Sequence, residues 1–143
     1  MGKVEREMIK QLNLECRDRQ TGKTTELINK AIIGVKSGEY DKVLLMCHSK
    51  EYLNDLKHRI KYETGVEKAK IIDYGYNVNG IDIVSGLPLE YFYGKSGKWL
   101  ILIDEPDLIE FKHRGSQYLS RIIGILNSRN DMEVTVQGLG SRV

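Results

Sequence analysis

The chain has 143 residues, 41% of them hydrophobic and 29% charged, a composition that suits a single globular domain over 1–143 with a core of its own. Its 22 basic and 20 acidic side chains leave a net charge of +2, which neither demands nor excludes nucleic acid. No apolar run approaches the ~20 residues that span a bilayer, and the start from Met1 to Glu7 is too charged for a secretory signal to be expected there. A cytoplasmic location without a membrane partner is therefore expected. Cys16 and Cys47 stand outside any CxxC or His/Cys cluster, so reduced thiols are expected in place of a disulfide or a zinc site.

Charged residues interspersed with Val4, Met8 and Ile9 predict a short amphipathic helix over residues 3–11. Leu12–Cys16 predicts a strand that leads into a polar turn, Arg17 to Gly22. A helix follows from Lys23 to about Lys36, with Leu27, Ile28, Ala31, Ile32 and Val35 as its buried stripe and Gly38 as its stop. Lys42–Cys47 is almost continuously apolar, the pattern of a parallel strand covered on both faces. Ser49 is placed to cap a helix that runs to about Thr64 and buries Tyr52, Leu53, Leu56 and Ile60.

Lys70–Asp73 reads as a strand, and Asn79-Gly80 between Tyr74–Val78 and Ile81–Val84 predicts a tight hairpin. A helical turn over Leu87–Tyr93 precedes a second fully apolar strand, Trp99–Ile103, which ends at Asp104. A helix over Ser116–Asn127 buries Leu119, Ile122, Ile123 and Leu126. The last strand, Met132–Val136, is expected to run into Gln137 and a Gly138-Leu139-Gly140 turn. Strands alternating with helices predict an α/β fold with a mainly parallel sheet flanked by helices.

The motif with chemical content is Arg19-Gln20-Thr21-Gly22-Lys23-Thr24-Thr25, set between a strand and a helix. At a helix N-terminus the unpaired N–H groups and the helix dipole attract phosphate. In a P-loop of this kind, Gly22 admits the phosphates to the backbone, Lys23 reaches the β- and γ-phosphates, and the Thr24 hydroxyl binds Mg²⁺. Arg17 stands where the full pattern has its first glycine. The apolar strand ending in Asp104-Glu105 supplies the partner motif, because open α/β sheets bind ligands at the carboxyl ends of their strands. Asp104 is expected to hold Mg²⁺ and Glu105 to polarise an attacking water. ATP with Mg²⁺ is thus the expected ligand, on a P-loop NTPase core of the RecA-like, additional-strand kind.

Arg19 is a candidate arginine for the γ-phosphate in cis, and Arg114, Arg121 and Arg142 are candidates in trans. A trans arginine would require a homo-oligomer or a partner subunit. Gln137 is a candidate γ-phosphate sensor.

Arg19 to Thr25 resembles the P-loop of large terminase subunits, the DNA-packaging motors of tailed phages, which often lack the first P-loop glycine and carry an arginine at the place of Arg19. Asp104-Glu105-Pro106-Asp107 has the DExD form of superfamily-two helicases. In those enzymes the segment after the second strand touches the nucleic-acid backbone, and Cys47-His48-Ser49-Lys50 is similar to it in position. The resemblance implies ATP hydrolysis coupled to DNA, in the host cytoplasm for a phage-encoded chain. Ser49 and Lys50, with Lys57, Arg59 and Lys61 in the basic helix, are the nucleic-acid candidates.

The motors carry a nuclease domain and the helicases a second ATPase-like domain, whereas this sequence stops at Val143. The expectation is a minimal ATPase or a core that works with other subunits. A nucleotide-gated binding protein with little turnover is the alternative from another class, and a small-molecule kinase is the third reading.

Overall fold

The computed structural model describes residues 14–17, 23–106, 108–109, 118–128 and 130–141, with the side chains of 14–17, 23 and 139–141 left aside. The helix expected over 3–11 and the residues Arg19, Gln20, Thr21, Gly22, Asp107, Arg114 and Arg142 lie outside the described residues.

In chain order the elements are β1 (Leu14–Arg17), α1 (Lys23–Ser37), β2 (Lys42–Met46), α2 (Lys50–Thr64), β3 (Lys70–Ile72), β4 (Gly75–Val78) and β5 (Ile81–Val84). A 3-10 turn (Leu89–Phe92), β6 (Gly97–Asp104), α3 (Tyr118–Asn127) and β7 (Met132–Ser141) complete the set. The strands form one seven-stranded sheet in the order β1-β7-β6-β2-β5-β4-β3. From β1 to β5 every neighbouring pair is parallel, and β4 and β3 extend that edge as an antiparallel meander. The α/β class with a mainly parallel sheet is as the alternation of patterns predicts.

Side chains alternate across the strands and divide the core in two. On one face α1 and α2 bury Leu27, Ile28, Leu53, Leu56 and Ile60 against Val43, Leu45, Ile83, Leu100 and Leu102. On the other, α3 and the 3-10 turn bury Leu119, Ile122, Ile123 and Phe92 against Leu44, Met46, Val84, Ile101 and Ile103. This two-sided cover is why β2 and β6 read as unbroken apolar runs.

Local chemistry sets the element ends. Ser49 caps α2, its side chain accepting from the Tyr52 N–H at 3.1 Å, and Gly65 closes the helix in the left-handed region. Asn79 (φ 53°) and Gly80 (φ 85°) make the hairpin turn between β4 and β5 with both central residues left-handed, the geometry that matches strand twist.

Two expectations on strand ends are corrected. Arg17 belongs to β1 and not to the turn after it. Gly138-Leu139-Gly140 is no turn: β7 continues through it to Ser141, because β7 is an interior strand paired with β6 on one side and β1 on the other. Local glycine content signalled a break, and ladder hydrogen bonds to two neighbours override it.

Gly75 sits where the meander is tightest, and a Cβ there would lie 1.9 Å from the Ile83 carbonyl oxygen. Gly75→Ala must push β4 away from β5, so it should lower stability by about 1–3 kcal/mol or more. A urea unfolding midpoint indistinguishable from wild type would refute that reading.

Candidate functional site

β6 carries apolar residues to its last position and then presents a carboxylate. Asp104 is 1% exposed and points to the face that α1 and α2 cover, as Leu100 and Leu102 do four and two residues earlier. The first turn of α1 meets it there: Thr24 Oγ1 donates to Asp104 Oδ2 at 3.3 Å across 80 residues of sequence. The hydroxyl and carboxylate that the two motifs single out are thus brought together.

Burial pushes the Asp104 carboxyl above its usual range, hydrogen bonding from Tyr52 pulls it back, the Glu105 charge raises it further, and Thr24 and His48 lower it. Its second oxygen, Oδ1, is buried and has no hydrogen-bond partner among the described residues. A buried anionic oxygen left without a donor is costly, and a cation would relieve it. Among the described residues no cluster of three His, Cys, Asp or Glu side chains forms a metal cage. One carboxylate and one hydroxyl fit a magnesium ion that draws its remaining ligands from phosphate and water. Thr24 and Asp104 are the residues that would hold it.

Glu105 follows with φ 53°, a left-handed conformation that a non-glycine residue rarely holds. Its carbonyl accepts from the N–H groups of Leu108 at 3.1 Å and Ile109 at 3.2 Å, so the chain turns sharply out of the strand at this residue. Backbone strain of about 1–3 kcal/mol at a strand's carboxyl end aims a side chain away from the strand's alternation. Glu105 therefore does not continue onto the opposite face as a regular next residue would.

Residues outside the motifs complete the cluster. Tyr52, in the first turn of α2, places its hydroxyl 2.5 Å from Thr24 Oγ1. Burial, with the Asp104 charge and hydrogen bond adding to it, lifts the phenol to about 12, so it stays protonated at neutral pH. Its ring stacks on His48 at 5.1 Å, and the His48 Nδ1 is buried without a partner among the described residues. A second tie joins the same helices: Arg59 Nη2 donates to Thr25 Oγ1 at 2.6 Å. Periodicity assigned Tyr52 to the buried face of α2 and went no further, and nothing in the sequence pairs a tyrosine with a threonine 28 residues away.

The basic residues of α2 separate. Lys50, Lys57 and Lys61 follow seven- and four-residue spacings along one side of the helix. Lys57 lies over the Tyr76 ring at 4.3 Å, which places that side toward β4. Arg59 points the other way, to α1. Ser49 is committed to its capping bond. Lys50 and His48 line a cavity of about 700 Å³ that opens past the ends of β2 and β5, with Leu53, Tyr74, Ser85 and Tyr118 around it.

Lys23 opens α1. Gln137 lies inside β7, in register with Leu102 and two residues before Leu139, the partner of Asp104. It is on the sheet face that carries Asp104 but not at the strand's end. Arg121 is exposed on α3. Comparison with family models, curated proteins and solved structures finds no match for this chain.

Two outcomes follow from the buried carboxylate and its phenol neighbour. The folded-state carboxyl of Asp104 is raised, so its contribution to stability is full below the unfolded value and is lost as pH rises through the folded value. Asp104→Asn should therefore raise the metal-free Tm at pH 7, with the gain fading toward pH 3, while magnesium ceases to stabilise the protein. Calorimetry in EDTA and in MgCl₂ at both pH values reads this, and a lower Tm at pH 7 in EDTA would count against it.

Tyr52→Phe frees Thr24 Oγ1 from a bond worth about 1 kcal/mol, so magnesium affinity should rise roughly fivefold. Isothermal titration would contradict this if the variant bound magnesium more weakly.

Proposed function

We propose that this chain is a magnesium-dependent, ATP-binding P-loop ATPase whose turnover is coupled to DNA. The observation that carries the reading is the bond between Thr24 at the start of α1 and Asp104 at the carboxyl end of β6. A P-loop site needs a hydroxyl and an acidic strand end on one metal. The sheet order supports the reading too, since β7 intervenes between β1 and β6, in keeping with the additional-strand kind of P-loop core.

In this reading the Arg19-Gln20-Thr21-Gly22 sequence would bind the phosphates and Lys23 would neutralise them. Thr24 and Asp104 hold magnesium. Bound magnesium supplies charge neutralisation on the transferring phosphoryl group. Glu105 is turned out of the strand to orient a water and accept its proton, and Arg19 adds positive charge at the γ-phosphate. Gln137, in register with Leu102 on the sheet face that carries Asp104, is the candidate γ-phosphate sensor. Lys50, Lys57 and Lys61 offer a basic side of α2 to a DNA backbone, next to the cavity at His48. The likeness to terminase motors and superfamily-two helicases belongs to this proposal and reaches only as far as these motifs.

One observation favours the slower alternative, a nucleotide-gated binding module that needs a partner subunit. Tyr52 occupies the Thr24 hydroxyl that a metal must take, so metal entry has to displace a bond between α1 and α2. Phosphate release from ATP and Mg²⁺, with and without DNA, separates the readings. The ATPase predicts turnover that rises with DNA and falls at least a hundredfold in Glu105→Gln, with nucleotide still bound. Turnover unchanged in Glu105→Gln would overturn the assignment of the base. Tight ATP binding with no phosphate release on DNA would transfer the proposal to the gated module. Failure of ATP to bind wild type would end both.

A further inference from the structure

β2 and β5 lie side by side and parallel, yet their chains leave the sheet toward opposite faces. After β2 the chain enters α2, whose Leu53, Leu56 and Ile60 pack on the α1 side. After β5 it enters the 3-10 turn, whose Phe92 packs on the α3 side. The Cys47 N–H donates to the Val84 carbonyl at 3.0 Å, and beyond that rung Gly86, with φ 67°, bends the second chain away. Chains that part in this way leave a crevice outside the carboxyl ends of their strands, the place where open α/β sheets bind ligands. The 700 Å³ cavity occupies that crevice, with Met46 and His48 from one strand's end and Ser85 and Gly86 from the other's.

Interiors close-pack and keep few voids, so a space of this size is one that the fold leaves open. Its volume falls well inside the range of small-molecule pockets. Leu53 and Ile109 give it apolar walls, and Ile71, which is 79% exposed, and Tyr74 leave apolar surface to water at its border. The charged groups along it are Lys50 from α2 and Asp73 from the β3–β4 turn. Neither makes an ion pair among the described residues. Their opposite charges leave the crevice with no net charge, so an ion of either sign meets a like charge there. The walls offer apolar contact to the faces of a ligand. For its edge there are donors in Lys50, acceptors in Asp73 and a hydroxyl in Ser85 that does both.

We propose that this crevice binds an uncharged heterocyclic ring with donors and acceptors on its edge, the chemistry of a nucleobase. The faces of the ring rest on Leu53, Ile109 and Tyr74, and its edge meets Asp73 and Ser85. A free nucleoside and an unpaired base of a nucleic-acid strand both carry this chemistry, and in a strand the phosphates stay outside, beside Lys50. The inference does not rest on the nucleotide reading, because no residue that lines the crevice belongs to the Thr24–Asp104 pair.

The test follows the backbone amides of Gly75, Ser85 and Gly86 by NMR in the full-length ¹⁵N-labelled protein during titration. Thymidine and cytidine are the probes, since their edges carry opposite donor patterns, and benzyl alcohol controls for apolar contact alone. At least one nucleoside should shift these amides saturably, at tenfold or more lower concentration than benzyl alcohol. Asp73→Ala combined with Ser85→Ala should weaken that binding about tenfold, through two lost hydrogen bonds, while Lys23→Ala leaves it unchanged. A thymidine hexanucleotide that binds more tightly than thymidine, and loses the advantage in Lys50→Ala, would identify the ring as a base of a strand. Equal binding of the two would identify it as a free nucleoside. No saturable shift with either nucleoside, an equal response to benzyl alcohol, or the same affinity in the double variant would each overturn the site. Loss of binding in Lys23→Ala would assign it to the P-loop and overturn the proposal as well.

Discussion

Burial of the Asp104 carboxylate at the end of an otherwise apolar strand is the constraint around which the candidate site is arranged. A strand in the middle of a two-sided sheet spends its residues on cores above and below it, as Leu100 to Ile103 do. Ending such a strand on a carboxylate turned toward the α1–α2 face places a charge where water is excluded. That charge needs donors, and among the described residues side-chain donors reach it from the starts of α1 and α2. Thr24 and Tyr52 are those donors. The first turns of two helices and the tip of β6 are therefore tied through one oxygen.

The geometry is a compromise between folding and chemistry. Thr24 and Tyr52 moderate the burial of Asp104 without abolishing it, since one oxygen remains unpartnered among the described residues and Glu105 adds repulsion. Glu105 itself stands in a strained backbone conformation. Each of these lowers stability, and the unpartnered oxygen leaves a deficit of positive charge beside Asp104. A strand end selected for stability alone would bring an asparagine or a leucine to position 104 and a glycine to 105.

The parts of this arrangement that repeat a local rule were legible in the sequence. Unbroken apolar runs identified β2 and β6 as interior parallel strands, because both sheet faces are covered. Asn79-Gly80 identified the β4–β5 hairpin because both turn residues need positive φ, and Ser49 identified the start of α2 because a helix needs its first N–H groups satisfied. The parts that depend on tertiary neighbours were not legible. Gly138-Leu139-Gly140 carries the composition of a turn, but two flanking strands hold it extended. Lys57, Arg59 and Lys61 form one cluster in the sequence and two sides of a helix in space. Asp82 reads as the polar member of an alternating hairpin arm, yet it is buried, because β5 is also an interior strand next to β2.

Tyr52 shows most clearly why such residues escape a reading by motif. A motif specifies groups that touch the ligand, and their spacing is set by the turn that carries them. A residue that touches those groups from another element obeys no spacing, only the packing of α2 on α1. The same packing gives Tyr52 its leverage. Its ring lies on His48, its hydroxyl on Thr24, and its helix is joined to α1 again through Arg59 and Thr25. Displacing that hydroxyl from Thr24 cannot be confined to one side chain, because ring and helix share the neighbours that border the 700 Å³ cavity. The Thr24–Tyr52 bond and the basic residues Lys50, Lys57 and Lys61 therefore belong to one helix, tied to α1 at two points.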